Sequence, residues 1–123
     1  MLVTKLSFSD KIENGHADIK GKAMIFVAGT MMMNPAIIDE FETRVAEMQE
    51  QVRAENGCLH YSLLVEDKAT GKVNVMEIWE DDDALGVHFT QPWIGAFFER
   101  FSPEMLDSTV QIYDISGTRP LPI

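Results

Sequence analysis

The apolar positions of this chain change their period several times, and each change marks an element. From Ala23 to Met32 the run Ala-Met-Ile-Phe-Val-Ala-Gly-Thr-Met-Met is apolar enough for a strand covered on both sides. Asn34-Pro35 then offers a capping side chain and a ring suited to the first helical position. Ile37, Ile38, Phe41, Val45, Met48 and Val52 recur at steps of three and four, which predicts a helix to about Ala54 with one buried face. Asp39, Glu40, Glu47, Glu50 and Gln51 fall mostly outside that stripe, and Asn56-Gly57 supplies the backbone freedom of a helix exit.

The period then drops to two. Leu59, Tyr61, Leu63 and Val65 point one way on a predicted strand, with Cys58, His60, Ser62 and Leu64 on the other side. Asp67 to Lys72, containing Thr70-Gly71, reads as a hairpin connection. The return strand, Val73 to Glu80, sets Val73, Val75, Glu77 and Trp79 against Asn74, Met76 and Ile78. Asp81, Asp82 and Asp83 lead into a second helical region, where carboxylates favour the helix start. Leu85, His88 and Phe89 share a face there, Pro92 breaks or kinks the helix, and Trp93, Ile94, Phe97, Phe98 and Phe101 resume its spacing. Leu106 to Ile115 has strand character.

The predicted order is strand, helix, strand, strand, helix, strand. With right-handed crossovers this is an α+β fold of the ferredoxin-like split βαβ type, a four-stranded antiparallel sheet with both helices on one face. Apolar groups on both sheet faces then call for a cover on the second face, and a homodimer packing sheet against sheet is the simplest one. Residues 1–22 read as an N-terminal arm, extra strand or hairpin turning at Asn14-Gly15, 23–116 as the domain proper, and 117–123 as a C-terminal tail.

Composition narrows the partners. A chain of 123 residues with 46% hydrophobic and 24% charged residues is sized for one domain with its own core. Ten basic against twenty acidic residues give a net charge of −10, which opposes binding to nucleic acid or to anionic membranes. No run approaches the ~18 apolar residues of a membrane span, and no basic-then-apolar leader pattern opens the sequence. With Cys58 as the single cysteine, no internal disulfide is possible, and a cytoplasmic location is expected.

The candidate chemistry centres on His88, because an imidazole titrates near neutral pH and can accept or release a proton. Phe89, Trp79 and Trp93 near it are the kind of lining that binds flat ligands. The alternative is a core histidine that only satisfies a backbone group. Glu77 shares a strand face with Trp79, and Tyr61 on the neighbouring strand can join them. A carboxylate on so apolar a face must be hydrogen-bonded, paired or protonated. His60 and His16 read as ordinary surface or edge histidines, and Cys58 lacks a basic neighbour to activate it. No Cys/His spacing points to a metal and no Gly-rich loop to a nucleotide.

Glu55-Asn56-Gly57-Cys58-Leu59-His60-Tyr61, then Glu77-Ile78-Trp79-Glu80, then Ala84-Leu85-Gly86-Val87-His88, resemble the antibiotic biosynthesis monooxygenase (ABM) domain family over about Ala23 to Ile115. The resemblance implies a dimeric α+β barrel of two ferredoxin-like subunits. It also implies an oxidoreductase that oxidises a small phenol or quinol with O₂ and no cofactor, the substrate supplying the electrons. His88 would be base or proton shuttle, with Trp79, Tyr61, Glu77, Phe89, Trp93 and Phe97 around a planar ring. The family is mixed, so the alternatives are an isomerase or degrading enzyme for a small signalling metabolite, or a non-catalytic binding module, haem included. Haem-degrading relatives carry an asparagine on the first strand, where this chain has Ala28.

Overall fold

In the computed structural model, residues 23–123 are described. The expected N-terminal arm, with Asn14-Gly15 and His16, lies outside the described residues. The elements are β1 (Ile25–Met33), α1 (Ile38–Arg53), β2 (Cys58–Asp67), β3 (Lys72–Trp79), α2 (Asp82–His88), α3 (Pro92–Phe101), β4 (Met105–Ser108) and β5 (Gln111–Asp114). All strand pairs are antiparallel, in the order β2-β3-β1-β4, with β5 also pairing β1. This is the ferredoxin-like α+β architecture expected from the element order.

Local chemistry explains most boundaries. The Asn34 side chain accepts from the Ala36 amide at 3.0 Å and caps a single 3₁₀ turn that runs into α1. Asp81 caps α2 in the same way, accepting from the Ala84 amide at 2.8 Å. At the exit of α1, Gly57 takes a φ of +82°, a conformation that L side chains seldom adopt.

Ile38, Phe41, Val45, Met48 and Val52 of α1 are buried against Ile25, Met33, Tyr61, Val73 and Trp79 of the sheet and Leu85, Ile94, Phe97 and Phe101 of the other helices. These form one continuous core on one sheet face. Phe41, Phe97 and Phe101 pack as a ring cluster with centroids 5.0 to 5.5 Å apart. The other sheet face carries Phe26, Ile78, Met76, Leu64 and Tyr113, with Leu64 65%, Met76 43% and Tyr113 47% exposed. Among the described residues no helix is long and apolar enough to cross a membrane.

Three features refine or correct the sequence expectation. The fourth strand position holds two short strands rather than one, so the sheet has five strands among the described residues. Gly29, with φ +150°, lets the break between them fold against β1: Thr109 donates its amide to the Thr30 carbonyl at 2.9 Å, and its Oγ1 accepts from the Thr30 amide at 3.0 Å. Of the break or kink expected at Pro92 the structure has the break: the second helical region is two helices, and Pro92 opens α3. Finally, a bulge between Cys58 and His60 pairs Cys58 with Trp79, so Cys58 shares the core face with Tyr61 instead of facing away from it.

Gly29→Val tests the close approach at the sheet edge. A Cβ there would lie 2.7 Å from the Thr109 carbonyl oxygen and from the Val110 Cα. The variant should lose about 2 kcal/mol or more in chemical denaturation, combining backbone strain with displaced strand contacts. Unchanged stability would show that the β4–β5 break does not need a glycine opposite it.

Candidate active site

The site forms where the C-terminal end of α1, the ends of β2 and β3, and the α2–α3 junction meet. Its pivot is Glu55, a residue that the sequence reading placed only in a motif. The Glu55 amide bonds the Val52 carbonyl at 3.0 Å, so the chain is still turning as it leaves α1, and the carboxylate points inward with 7% of its side chain exposed. His88 Nδ1 lies 3.0 Å from Glu55 Oε1 and 3.1 Å from Oε2. Trp93 donates its indole N–H to Oε2 at 3.0 Å.

A carboxylate facing Nδ1 fixes the imidazole tautomer, because only a protonated Nδ1 can donate to it. In the neutral ring Nε2 is then the basic nitrogen. Burial lowers the pKa of His88, and the negative Glu55 and its hydrogen bond oppose that shift. Neutral imidazole is therefore the dominant form at neutral pH. The ring lies over Trp79, centroids 4.6 Å apart, with Tyr61 at 5.9 Å and Phe89 at 5.4 Å.

Below this pair sits a second buried carboxylate. Glu77 accepts the Trp79 indole N–H at 2.9 Å, so of the expected outcomes it is hydrogen-bonded, to a neutral donor. Burial pushes its pKa up to about 7; the Trp79 hydrogen bond pulls the other way and Glu55 adds to the rise. Tyr61, opposite Glu77 on β2, has its phenol pKa raised by burial first and by Glu77 next.

The structure thus brings together Tyr61, Glu77, Trp79, His88 and Trp93. Phe89 reaches the His88 ring but is 53% exposed and also stacks on Phe98. Phe97 has its ring contacts with Phe41 and Phe101 in the core and with the exposed Phe98. His60, on the outer sheet face, is half-buried. Ala28 pairs with Met76 on that outer face, and the β1 residue opposite Glu77 is the equally apolar Val27. Among the described residues, no three His, Cys, Asp or Glu side chains are grouped so as to hold a metal ion. A signal for Glu55 did exist, for it falls three positions after Val52 and seven after Met48, on the continuation of the buried stripe.

Glu77 gives a pH prediction whose sign follows from its raised pKa. The unfolded carboxyl ionises near 4.5 and the folded one near 7, so the folded state holds the extra proton between them and stability falls as pH rises through that window. Glu77→Gln keeps an acceptor for Trp79 and removes the charge. In denaturation at pH 5 and pH 8 the variant should gain on the order of 2 kcal/mol over wild type at the higher pH relative to the lower. Parallel curves at both pH values would mean that Glu77 ionises as freely in the folded protein as in the unfolded chain.

The comparisons with known proteins agree with this architecture. The sequence model of the family described as antibiotic biosynthesis monooxygenase matches residues 24–100. An uncharacterised protein, sll1783, of Synechocystis sp. is 32% identical over 107 residues, covering 85% of this chain and 72% of that protein. A crystal structure from Caulobacter crescentus CB15, named after the antibiotic biosynthesis monooxygenases, is 28% identical with a TM-score of 0.68, covering 76% of this chain and 91% of that one. A conserved protein of Methanosarcina mazei Go1, at 22% identity and a TM-score of 0.64 over 73% of this chain and 90% of its own, shares the fold. With the family pattern spanning most of the described residues and the same fold in these two solved structures, the chain belongs to the antibiotic biosynthesis monooxygenase family.

Proposed function

We propose that the protein is a monooxygenase that oxidises a small phenol or quinol with O₂, its electrons coming from the substrate. The observation that carries this reading is the buried His88–Glu55 pair, set between two tryptophans in a member of this family. A phenol resists oxidation by triplet oxygen until it loses its proton. The electron-rich phenolate can then pass one electron to O₂. In the overall reaction one oxygen atom enters the ring, which becomes a quinone, and the other leaves as water with the two hydrogens that the substrate gives up.

The protein's part is to accept the hydroxyl proton and to hold the ring. His88 and Glu55 act as one proton-accepting pair, the imidazole tautomer fixed by Glu55 and its neutral form favoured by burial. Trp79 and Tyr61 flank it, and Glu77 keeps the Trp79 indole in place. Proton transfer by a positioned side chain accounts for about 10²–10⁴ in rate. In an oxygen electrode with a panel of quinols, His88→Ala should therefore lose about 100-fold or more in turnover while its circular dichroism is retained. Equal turnover in the variant would remove His88 from the reaction, and turnover that persists under argon would exclude O₂ as the oxidant.

The same reading includes a homodimer. The outer sheet face presents Phe26, Leu64, Met76, Ile78 and Tyr113 to solvent or to a second copy, and a sheet-to-sheet pair would cover this apolar surface. Light scattering should give twice the chain mass of 13.9 kDa, and Met76→Asp should shift the protein to monomer. A wild-type monomer at micromolar concentration overturns this part of the reading.

A further inference from the structure

A shallow groove of about 420 Å³ runs along the outer side of the site, lined by Gln51, Ala54, Glu55, Asn56, Val87, Gln91 and Trp93. Glu55 and Trp93 are common to this groove and to the buried cluster, and of the two Glu55 is the ionisable one. His88, 3% exposed, stands behind it. From this arrangement we infer that the groove is the ligand site and that Glu55, rather than His88, is the group a ligand hydroxyl touches.

Acceptor capacity supports the assignment. A carboxylate offers about four lone-pair positions. Here two donors use them: His88 Nδ1, shared between both oxygens, and the Trp93 indole on Oε2. Oε1 keeps room for a further donor, and the groove is the side from which one can arrive. The walls match a flat ring with polar edges. Trp93 offers an indole face, Ala54 and Val87 apolar contact, and the carboxamides of Gln51, Asn56 and Gln91 both donors and acceptors. The volume suits a small ligand, being near the lower end of typical ligand sites.

The ligand class follows from that lining and rests on the monooxygenase reading: a neutral, planar aromatic with a free hydroxyl. The net charge of −10 and the carboxylate at the groove floor both disfavour an anion. On proton transfer the ligand O–H bond breaks, its electron pair stays on the phenolate oxygen, and the proton goes to Glu55. His88, donating to the same carboxylate, is a positioning residue that holds Glu55 in place.

The chain has two tryptophans, and they report on different sides of the site: Trp93 bonds Glu55 at the groove and Trp79 bonds Glu77 beneath it. Hydroquinone titrated under argon into the ¹⁵N-labelled protein should shift the Trp93 indole N–H resonance saturably and leave that of Trp79 nearly still. 1,4-Dimethoxybenzene, the same ring without a donor, should bind about tenfold more weakly or worse. Ala54→Trp and Val87→Trp, both at exposed positions, should abolish the Trp93 shift by filling the groove.

A saturable shift confined to Trp79, no shift of either indole, equal binding of the dimethyl ether, or hydroquinone binding that survives both groove-filling variants each overturns the assignment. Oxygen uptake that survives those variants overturns the groove while leaving the monooxygenase intact. Saturable binding at Trp93 without oxygen uptake by any quinol supports the groove and overturns the monooxygenase.

Discussion

Two carboxylates sit where the chain has almost no water to solvate them, and the local structure is arranged around their need for N–H donors. Glu77 is 9% exposed and the Glu55 side chain 7%. An unpartnered charge at such a position costs several kcal/mol, so each acid either finds donors or takes up a proton. The chain uses both solutions. Glu55 collects two donors from the α2–α3 region, His88 and Trp93. Glu77 has the single indole N–H of Trp79, and its pKa rises to about 7. One acid is thus held as an acceptor, while the other stands near the balance of its two forms at neutral pH. Groups perturbed as Glu77 is concentrate where proton chemistry is done.

The sequence made the frame legible because its frame depends on local period. The α1 stripe, the alternation of β2 and β3, the hairpin at Thr70-Gly71 and the Asp81 cap are decided within a few residues of where they occur. His88, Trp79, Glu77 and Tyr61 were recognisable for the same reason: a polar group on an apolar face stands out against the period. What could not be read depends on partners distant in sequence. The break between β4 and β5 needs a missing Cβ at Gly29, eighty residues earlier in order of magnitude, with Thr109 filling the space. The bulge that turns Cys58 inward is set by pairing with β3 rather than by the strand's own alternation.

Glu55 lies between these cases. Its place on the buried stripe was visible, but it falls at the helix exit, where a glutamate beside Asn56-Gly57 reads as a solvated end. Only the fold shows that His88 of α2 and Trp93 of α3 reach over this end and bond the Glu55 carboxylate. Phe97 illustrates the converse: its spacing places it with Trp93 on α3, while its ring packs in the Phe41–Phe101 cluster. Side chains on one helix share a face only within about a third of a turn, and two neighbours on a face can serve different compartments.

The helix break at Pro92 is what allows one carboxylate to bind both His88 and Trp93. On a continuous helix, residues five apart point about 140° away from each other, and both could not reach the same acceptor. Here α2 closes with the Thr90 amide on the Val87 carbonyl at 2.9 Å and the Gln91 amide on the His88 carbonyl at 3.2 Å. Gln91 then takes an extended backbone, ψ 140°, and α3 starts afresh at Pro92, whose nitrogen has no hydrogen to leave unsatisfied. The new helix direction brings the Trp93 indole back over Glu55. The same turn leaves Val87 and Gln91 standing apart from the end of α1, and the space between them is the groove. A single proline therefore links the electrostatics of the buried acid to the shape of the opening beside it: without the break, Glu55 would lack its second donor and the groove its indole wall.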